Sequence, residues 1–464
     1  MVVCAKAKEM NLTRDIGNLK GAARVMAYAI ATAFALTSFG ARANTPNILI
    51  VVADDMGWAD VGYHGSPIPT PNLDKLCRAG VELDQHYVAP MCTPTRAALL
   101  TGRYWSRFGN TSAANNQVLP FETVTLASAL KNSGYDTFIS GKWHLGSMKK
   151  CGPLQFGFRR SHGSLAGGVN PWNHLYKPGP YSVTWHRDDT LIEQEGHVTD
   201  LITSETIKFI EEKRDGPFLV YVPFTAPHVP IDEPRKWLDR CKDIPKDRRQ
   251  FAACVTHLDD SVGQFVAALD RSGQRENTLL IFFSDNGGHI SASSKSRYPR
   301  TVEKARKVGL NTPLRGKKGQ VYEGGIRTPA FVSWPAKLKP RKLTTPLHVT
   351  DWMPTLCGLA GYKSQKDLKW DGVDIWPVLS GKEEIAAPRI LYTKGPGGRS
   401  AAIREGDWKL IRHGNGNKAK YELYHLGRDP NEKKDLVKPE AKRVTHLKTR
   451  LREEESRDND AVPK

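Results

Sequence analysis

Cysteine is scarce in this chain: seven residues among 464. A chain of this length buries ample apolar surface, so its fold does not depend on disulfides. Long apolar runs are missing as well. The stretch Val25 to Leu36 falls short of the roughly 20 residues that a spanning helix needs, which argues against a stable membrane anchor. No internal repeat and no long low-complexity segment is present, which excludes solenoids and low-complexity arrays. Acidic residues are outnumbered, with 68 Lys and Arg against 49 Asp and Glu, and the formal charge is +19. Such a balance suits a polyanionic partner. No nucleic-acid module is recognisable, so nucleic acid is not the expected one.

What is present is a series of chemically loaded motifs at the ends of apolar runs. Asn47 to Ala53 reads as a buried parallel strand and delivers Asp54 and Asp55 at its C-terminal end, where open α/β sheets hold their ligands. Thr278 to Phe283 does the same for Ser284-Asp285-Asn286-Gly287-Gly288. Asp136 to Ser140 leads into Gly141-Lys142-Trp143-His144-Leu145-Gly146, and Phe218 to Val222 into Thr225-Ala226-Pro227-His228-Val229-Pro230. Taken singly, Asp-Asp also serves as a turn or cap, and Asp-Asn-Gly-Gly as an ordinary turn. In Cys92-Thr93-Pro94-Thr95-Arg96, Thr93 suits an N-cap, Pro94 the first helical position, and Gly102 a helix end. Cys92 is then expected just ahead of a helix N-terminus, where free N–H groups and the helix dipole favour an anion. Arg96 is close enough to face the same site.

In this order the motifs resemble those of type I, formylglycine-dependent sulfatases. Leu314-Arg315-Gly316-Lys317-Lys318-Gly319, followed by Tyr322-Glu323-Gly324-Gly325-Ile326-Arg327, matches the lysine-bearing loop of that family, and the Glu-Gly-Gly-x-Arg anchor points to Lys318 rather than Lys317. Thr95 stands where the commonest form of the cysteine motif has serine. The Tyr104 neighbourhood, Lys149-Lys150-Cys151 and His348 to Thr355 are similar to the arylsulfatase B, or N-acetylgalactosamine-4-sulfatase-like, group.

The resemblance implies an α/β, alkaline-phosphatase-like fold, with a large, mostly parallel sheet flanked by helices and a small antiparallel C-terminal subdomain. It implies that a maturation enzyme converts Cys92 to formylglycine, whose hydrated aldehyde attacks the sulfur of a sulfate monoester on a sulfated polysaccharide or glycosaminoglycan. Asp54, Asp55, Asp285 and Asn286, with position 92, are then the metal ligands. The four side chains offer oxygen only, which suits Ca²⁺, or Mg²⁺, and argues against zinc. Arg96, Lys142 and Lys318 hold the nonbridging oxygens. His228 protonates the leaving oxygen, with Lys318 as its competitor, and His144 helps to release sulfate. Ser164 is a further residue in reach of the sulfate. Two other readings stay open: a phosphonate monoester or phosphodiester hydrolase of the same superfamily, and a non-catalytic binder of sulfated glycans.

Three segments are expected: an export signal at 1–43, a catalytic domain at 44–380 and a C-terminal subdomain at 381–464. Arg24 before the apolar run and Ala41-Arg42-Ala43 after it have the form of a cleavable signal, which predicts a secreted or periplasmic protein. Helices are expected over Asp200 to Arg214, Phe251 to Leu269 and Pro439 to Glu455, and short strands over Ala401 to Arg404, Trp408 to Arg412 and Tyr421 to Tyr424. With Cys92 modified and Cys4 lost, Cys77, Cys151, Cys241, Cys254 and Cys357 remain, and Cys241 with Cys254 is the candidate bridge. The basic segment from Lys295 to Lys307 is a candidate contact for other sulfates of a polyanion. Trp172 and Trp185, with His174 and His186, are candidates either for stacking on a sugar or for packing.

Overall fold

The computed structural model describes residues 45–291, 297–298, 308–383 and 388–463. The export signal and most of the basic segment Lys295 to Lys307 lie outside these residues. Pro46–Lys464 forms one compact unit. Its centre is a ten-stranded sheet in the order Arg341–Leu343, Val81–Leu83, Ala330–Ser333, Thr278–Ser284, Asn47–Ala53, Phe218–Pro223, Asp136–Lys142, Arg160–Ser164, Trp185–Arg187, Thr190–Leu191. The five long central strands, from Thr278–Ser284 to Arg160–Ser164, are mutually parallel. Antiparallel pairs enter on either side, through Ala330–Ser333 and Trp185–Arg187.

Strand periodicity divides the core in two. Ile48, Ile50 and Val52 face one apolar cluster, and Leu49, Val51 and Ala53 face the other. Both faces are covered, which is why the strand reads as an unbroken apolar run rather than an alternating one. One cover is made by the helices Pro71–Ala79, Val198–Glu211 and Arg249–Arg271. The other contains the Cys92–Thr101 and Trp352–Leu359 helices. A four-stranded antiparallel sheet, Ile390–Lys394, Ser400–Glu405, Trp408–His413 and Lys420–His425, and the Ala441–Glu455 helix pack into that same cluster.

Two expectations are corrected. Cys92 does not precede its helix but opens it, with Met91 at the N-cap, because the Thr95 N–H reaches the Met91 carbonyl at 3.2 Å. Thr93 is not the cap, since its hydroxyl accepts from the Ala114 N–H at 3.2 Å and so ties a distant loop to the helix. Gly102 ends the helix as expected, in the left-handed region at φ 69°, and a Cβ there would meet Trp370 at 2.8 Å and Met353 at 2.9 Å. The Cys241–Cys254 bridge is absent. All six described cysteines are buried and outside any disulfide; the Cys241 sulfur lies 3.4 Å from Thr256 Oγ1, and Cys254 hydrogen-bonds Glu233.

Candidate active site

Four parallel strands end at one place, and ladder-like hydrogen bonds continue past their ends. The Asp54 N–H donates to Ala226 O and the Asp285 N–H to Ala53 O, both at 2.9 Å, while the His144 N–H donates to Leu165 O at 3.1 Å. The turns that carry the candidate side chains are therefore extensions of the sheet. Two of these residues are held in left-handed backbone, Asp55 at φ 69° and His144 at φ 57°, and such strain in non-glycine residues concentrates at functional sites.

The buried Cys92–Thr101 helix supplies Cys92 and Arg96. Arg96 donates to the Lys142 carbonyl and to Asp285 Oδ2, each at 2.8 Å. Lys142 Nζ donates to Asp54 Oδ2 at 2.6 Å, and neither side chain is exposed. Lys318 Nζ reaches Asp55 Oδ1 at 2.6 Å, and the Lys317 backbone N–H donates to Gln320 Oε1 at 3.1 Å. His228 Nε2 stands 3.6 Å from Asp55 Oδ2, and its Nδ1 is in contact with the Val229 carbonyl. All the catalytic and metal-ligating candidates of the sequence thus fall in one cluster.

Three carboxylates face three permanent cations in this cluster, so the protein balances its own charge. Oxygen atoms are left over. Asp54 Oδ1 and Asn286 Oδ1 are buried with no hydrogen-bond partner among the described residues, while the Asn286 amide donates to Asp55 Oδ1 at 2.7 Å. Unsatisfied buried acceptors are costly, and a cation is what satisfies them. Ligand atoms of Asp54, Cys92 and Asp285 lie within 4.8 Å of one another, as do those of Asp54, Asp55 and His228. The carboxylate and amide oxygens of Asp54, Asp55, Asp285 and Asn286 fit a hard divalent ion.

Electrostatics sort the titratable groups. Burial would raise Asp54, but Lys142, His228 and Arg96 outweigh it and hold this carboxylate well below its usual range. Burial and the neighbouring Asp54 push Asp285 up to about 7, the sign of crowded carboxylates. Burial, Lys142 and Arg96 keep His144 neutral, and burial with Lys318 brings His228 down to about 4. Burial also raises the Cys92 thiol.

Some predicted residues stand elsewhere. Ser164 is not one of these: it lies in register with Lys142 on the adjacent strand, with its hydroxyl 3.1 Å from Thr184 Oγ1. Trp185 is packing: it is buried, stacked on His174 at 4.5 Å, and donates to Gln194. His186 is buried and bonded to Ser161, and Trp172 is exposed with its ring edge against His197. Asn311 was missed. Its side chain accepts from Gly288 N–H at 2.7 Å and donates to Gly288 O at 2.9 Å and Gly316 O at 3.2 Å, clasping the Asp285 loop to the Lys318 loop. Locally, Gly309-Leu310-Asn311-Thr312-Pro313 reads only as a turn. His289 was missed too, although it follows Asn286 by three residues and feels the charges of Asp55 and Lys318.

Cations and a cradle of oxygen atoms converging on the start of one buried helix make this a site for a small anionic group. A sequence-family profile described as Sulfatase matches residues 46–362, and one described as N-sulphoglucosamine sulphohydrolase, C-terminal, matches 317–457. The chain belongs to the sulfatase family. It is 35% identical to arylsulfatase J of Mus musculus over 400 residues, which span 79% of this chain and 64% of that protein. It is 33% identical to the N-acetylgalactosamine-6-sulfatase of Mus musculus over 375 residues, 75% of this chain and 69% of that one. The crystal structure of Ps i-CgsB in complex with k-i-k-neocarrahexaose superposes with a TM-score of 0.81 at 29% identity, covering 90% of this chain and 94% of that one. These relatives named as sulfatases are sulfuric ester hydrolases.

Proposed function

We propose that this chain hydrolyses sulfate monoesters on sulfated polysaccharide or glycosaminoglycan sugars, with N-acetylgalactosamine sulfates as the leading candidates. The observation that carries the reading is the convergence of Arg96, Lys142 and Lys318 on Asp285, Asp54 and Asp55 around Cys92, where buried carboxylate and amide oxygens lack donors among the described residues. Unmodified, Cys92 is a buried, protonated thiol and a poor nucleophile. The sulfatase family implies formylglycine at this position and a divalent metal. Formylglycine supplies a hydrated aldehyde as nucleophile, and the metal supplies positive charge beside the nonbridging oxygens. Asp54, Asp55, Asp285 and Asn286 are the side chains suited to hold the metal, and Ca²⁺ is the ion proposed, with Mg²⁺ as its substitute.

The protein's own groups do the rest. Lys142, Lys318 and Arg96 orient the ester and stabilise negative charge as it shifts toward the leaving oxygen. A sugar alkoxide leaves poorly without a proton. His228 supplies it from Nε2; burial and Lys318 keep that atom unprotonated in the free enzyme, and the arriving sulfate monoanion is the charge that raises its proton affinity. His144, neutral and with its Nδ1 unpartnered among the described residues, accepts the proton whose removal frees sulfate. In this reading residues 44–380 carry the reacting groups, residues 381–464 brace them, and residues 1–43 direct export. No described helix is long and apolar enough to cross a membrane.

The test is sulfate release by matured protein from chondroitin-type oligosaccharides sulfated at the 4- or the 6-position and from a carrageenan oligosaccharide, with Cys92→Ala as control. Release that vanishes in the variant establishes the reading, and the preferred substrate names the sugar. Hydrolysis of phosphate esters in preference to sulfate esters would replace it.

A further inference from the structure

Resting on the sulfate-ester reading above, we propose that Lys177 is a specificity-determining residue that recognises a second anionic group on the sugar, beside the sulfate to be removed. The ground for this is a pair of glycines. A side chain at Gly167 would begin 3.2 Å from His144 Nε2 and 3.4 Å from Tyr176 Cε2, and one at Gly168 would begin 2.9 Å from His228 Nδ1 and 3.0 Å from Tyr298 Oη. Bare backbone therefore passes beside both histidines, and Tyr176 and Tyr298 stand against the same two glycines. The two tyrosine rings meet edge to face at 6.0 Å. Lys177 Nζ rests 5.2 Å from the centre of the first ring and 5.7 Å from that of the second.

Arg96, Lys142 and Lys318 each face a carboxylate. Lys177 faces none among the described residues, where its partners are the two rings. A lysine settled on aromatic faces has given up part of its hydration and rotamer freedom, so capturing an anion costs it little further ordering. The Tyr176 and Tyr298 rings thus connect this charge to the glycine pair beside His144 and His228. The substrate class this selects is a sugar sulfate with a further negative group, either a second sulfate ester or the carboxylate of a neighbouring uronate.

The experiment compares matured wild type, Lys177→Ala and Lys177→Arg on three substrates: the monosulfated N-acetylgalactosamine that the enzyme cleaves, the same sugar with a second sulfate, and the same sugar linked to a uronate. Lys177→Ala is expected to lose roughly tenfold more kcat/KM, through KM, on one or both doubly anionic substrates than on the monosulfated sugar, and Lys177→Arg to restore most of it. The substrate showing the larger loss identifies the anion. Equal losses on all three, or no loss on any, overturn the proposal. If wild type releases no sulfate from any ester, the underlying reading fails on its own, and Lys177 is then judged by binding. The disulfated sugar titrated into Cys92→Ala protein should bind about tenfold more weakly when Lys177→Ala is added, and an unchanged Kd rejects the subsite.

Discussion

Two buried charge clusters meet the loop that carries Lys318, and they are built to different ends. At the strand ends, Lys142, Lys318 and Arg96 meet Asp54, Asp55 and Asp285, yet Asp54 Oδ1 and Asn286 Oδ1 stay without donors. Beneath the C-terminal sheet, Lys409 Nζ lies 2.8 Å from both Glu323 Oε1 and Glu432 Oε1. Glu323 also takes the Tyr87 hydroxyl at 2.6 Å, and the Glu323 N–H donates to Glu432 Oε2 at 2.7 Å. Here each carboxylate closes on groups of the protein itself; Glu432 Oε1 has no hydrogen-bond partner among the described residues, but its ion pair with Lys409 occupies it. The first cluster is open toward a ligand, and the second is a knot that ties the Glu323–Ile326 turn to the Trp408–His413 strand. The knot serves the site indirectly, because the Gly324 N–H holds the Arg315 carbonyl at 2.7 Å at the base of the loop that presents Lys318.

The sharpest separation of the two clusters is Cys92→Ala. Turnover should fall by roughly 10⁴ or more while the melting temperature stays near that of wild type, as read by sulfate release and calorimetry. Chelation should come next, with a loss on the order of 10³ that Ca²⁺ or Mg²⁺ restores and Zn²⁺ does not. An unaffected chelated enzyme would mean that the open oxygens serve no ion. The two histidines should then divide, each losing about 10²-fold or more. His228→Ala should suffer more on a sugar sulfate than on an aryl sulfate, whose leaving group needs no proton. His144→Ala should release about one equivalent of alcohol per enzyme and then stall.

Stability provides the subtler contrast. Lys142→Met and Lys409→Met each strand buried carboxylates and should cost about 3–5 kcal/mol in urea unfolding. Ca²⁺ should offset the first loss and leave the second untouched; equal responses would erase the distinction between site and knot. The smallest effect belongs to Glu432. Burial raises its carboxyl to about 7, above its ordinary value of 4.5, so the stability carried by its neutral form is present below pH 4.5 and fades as pH rises through 7. Glu432→Gln should flatten that part of the pH profile of the melting temperature.

Much of this site was legible because each motif is contiguous: an apolar run, then a turn carrying the reactive side chains. The strands Asn47–Ala53 and Thr278–Ser284 fell where the continuous apolar runs put them, and the helix Val198–Glu211 began two residues before its expected start. The Cys92 helix start was misjudged for a physical reason. Thr93 has the right chemistry for a cap, but the fold had another use for its hydroxyl at Ala114.

By itself, then, the sequence determined the mostly parallel sheet and the turns at the strand ends, which follow from local apolar runs and turn chemistry, while the family and the roles of the residues in those turns came from the resemblance of the ordered motifs. Tertiary structure alone decided how they pair. Lys142 finds Asp54 across 88 positions, and Lys318 finds Asp55 across 263. The Asn311 clasp, the Lys409 knot and the place of Lys177 between two tyrosines arise in the same way. Buried charges take their partners from sheet register and loop packing, and those join parts of the chain that share no local pattern.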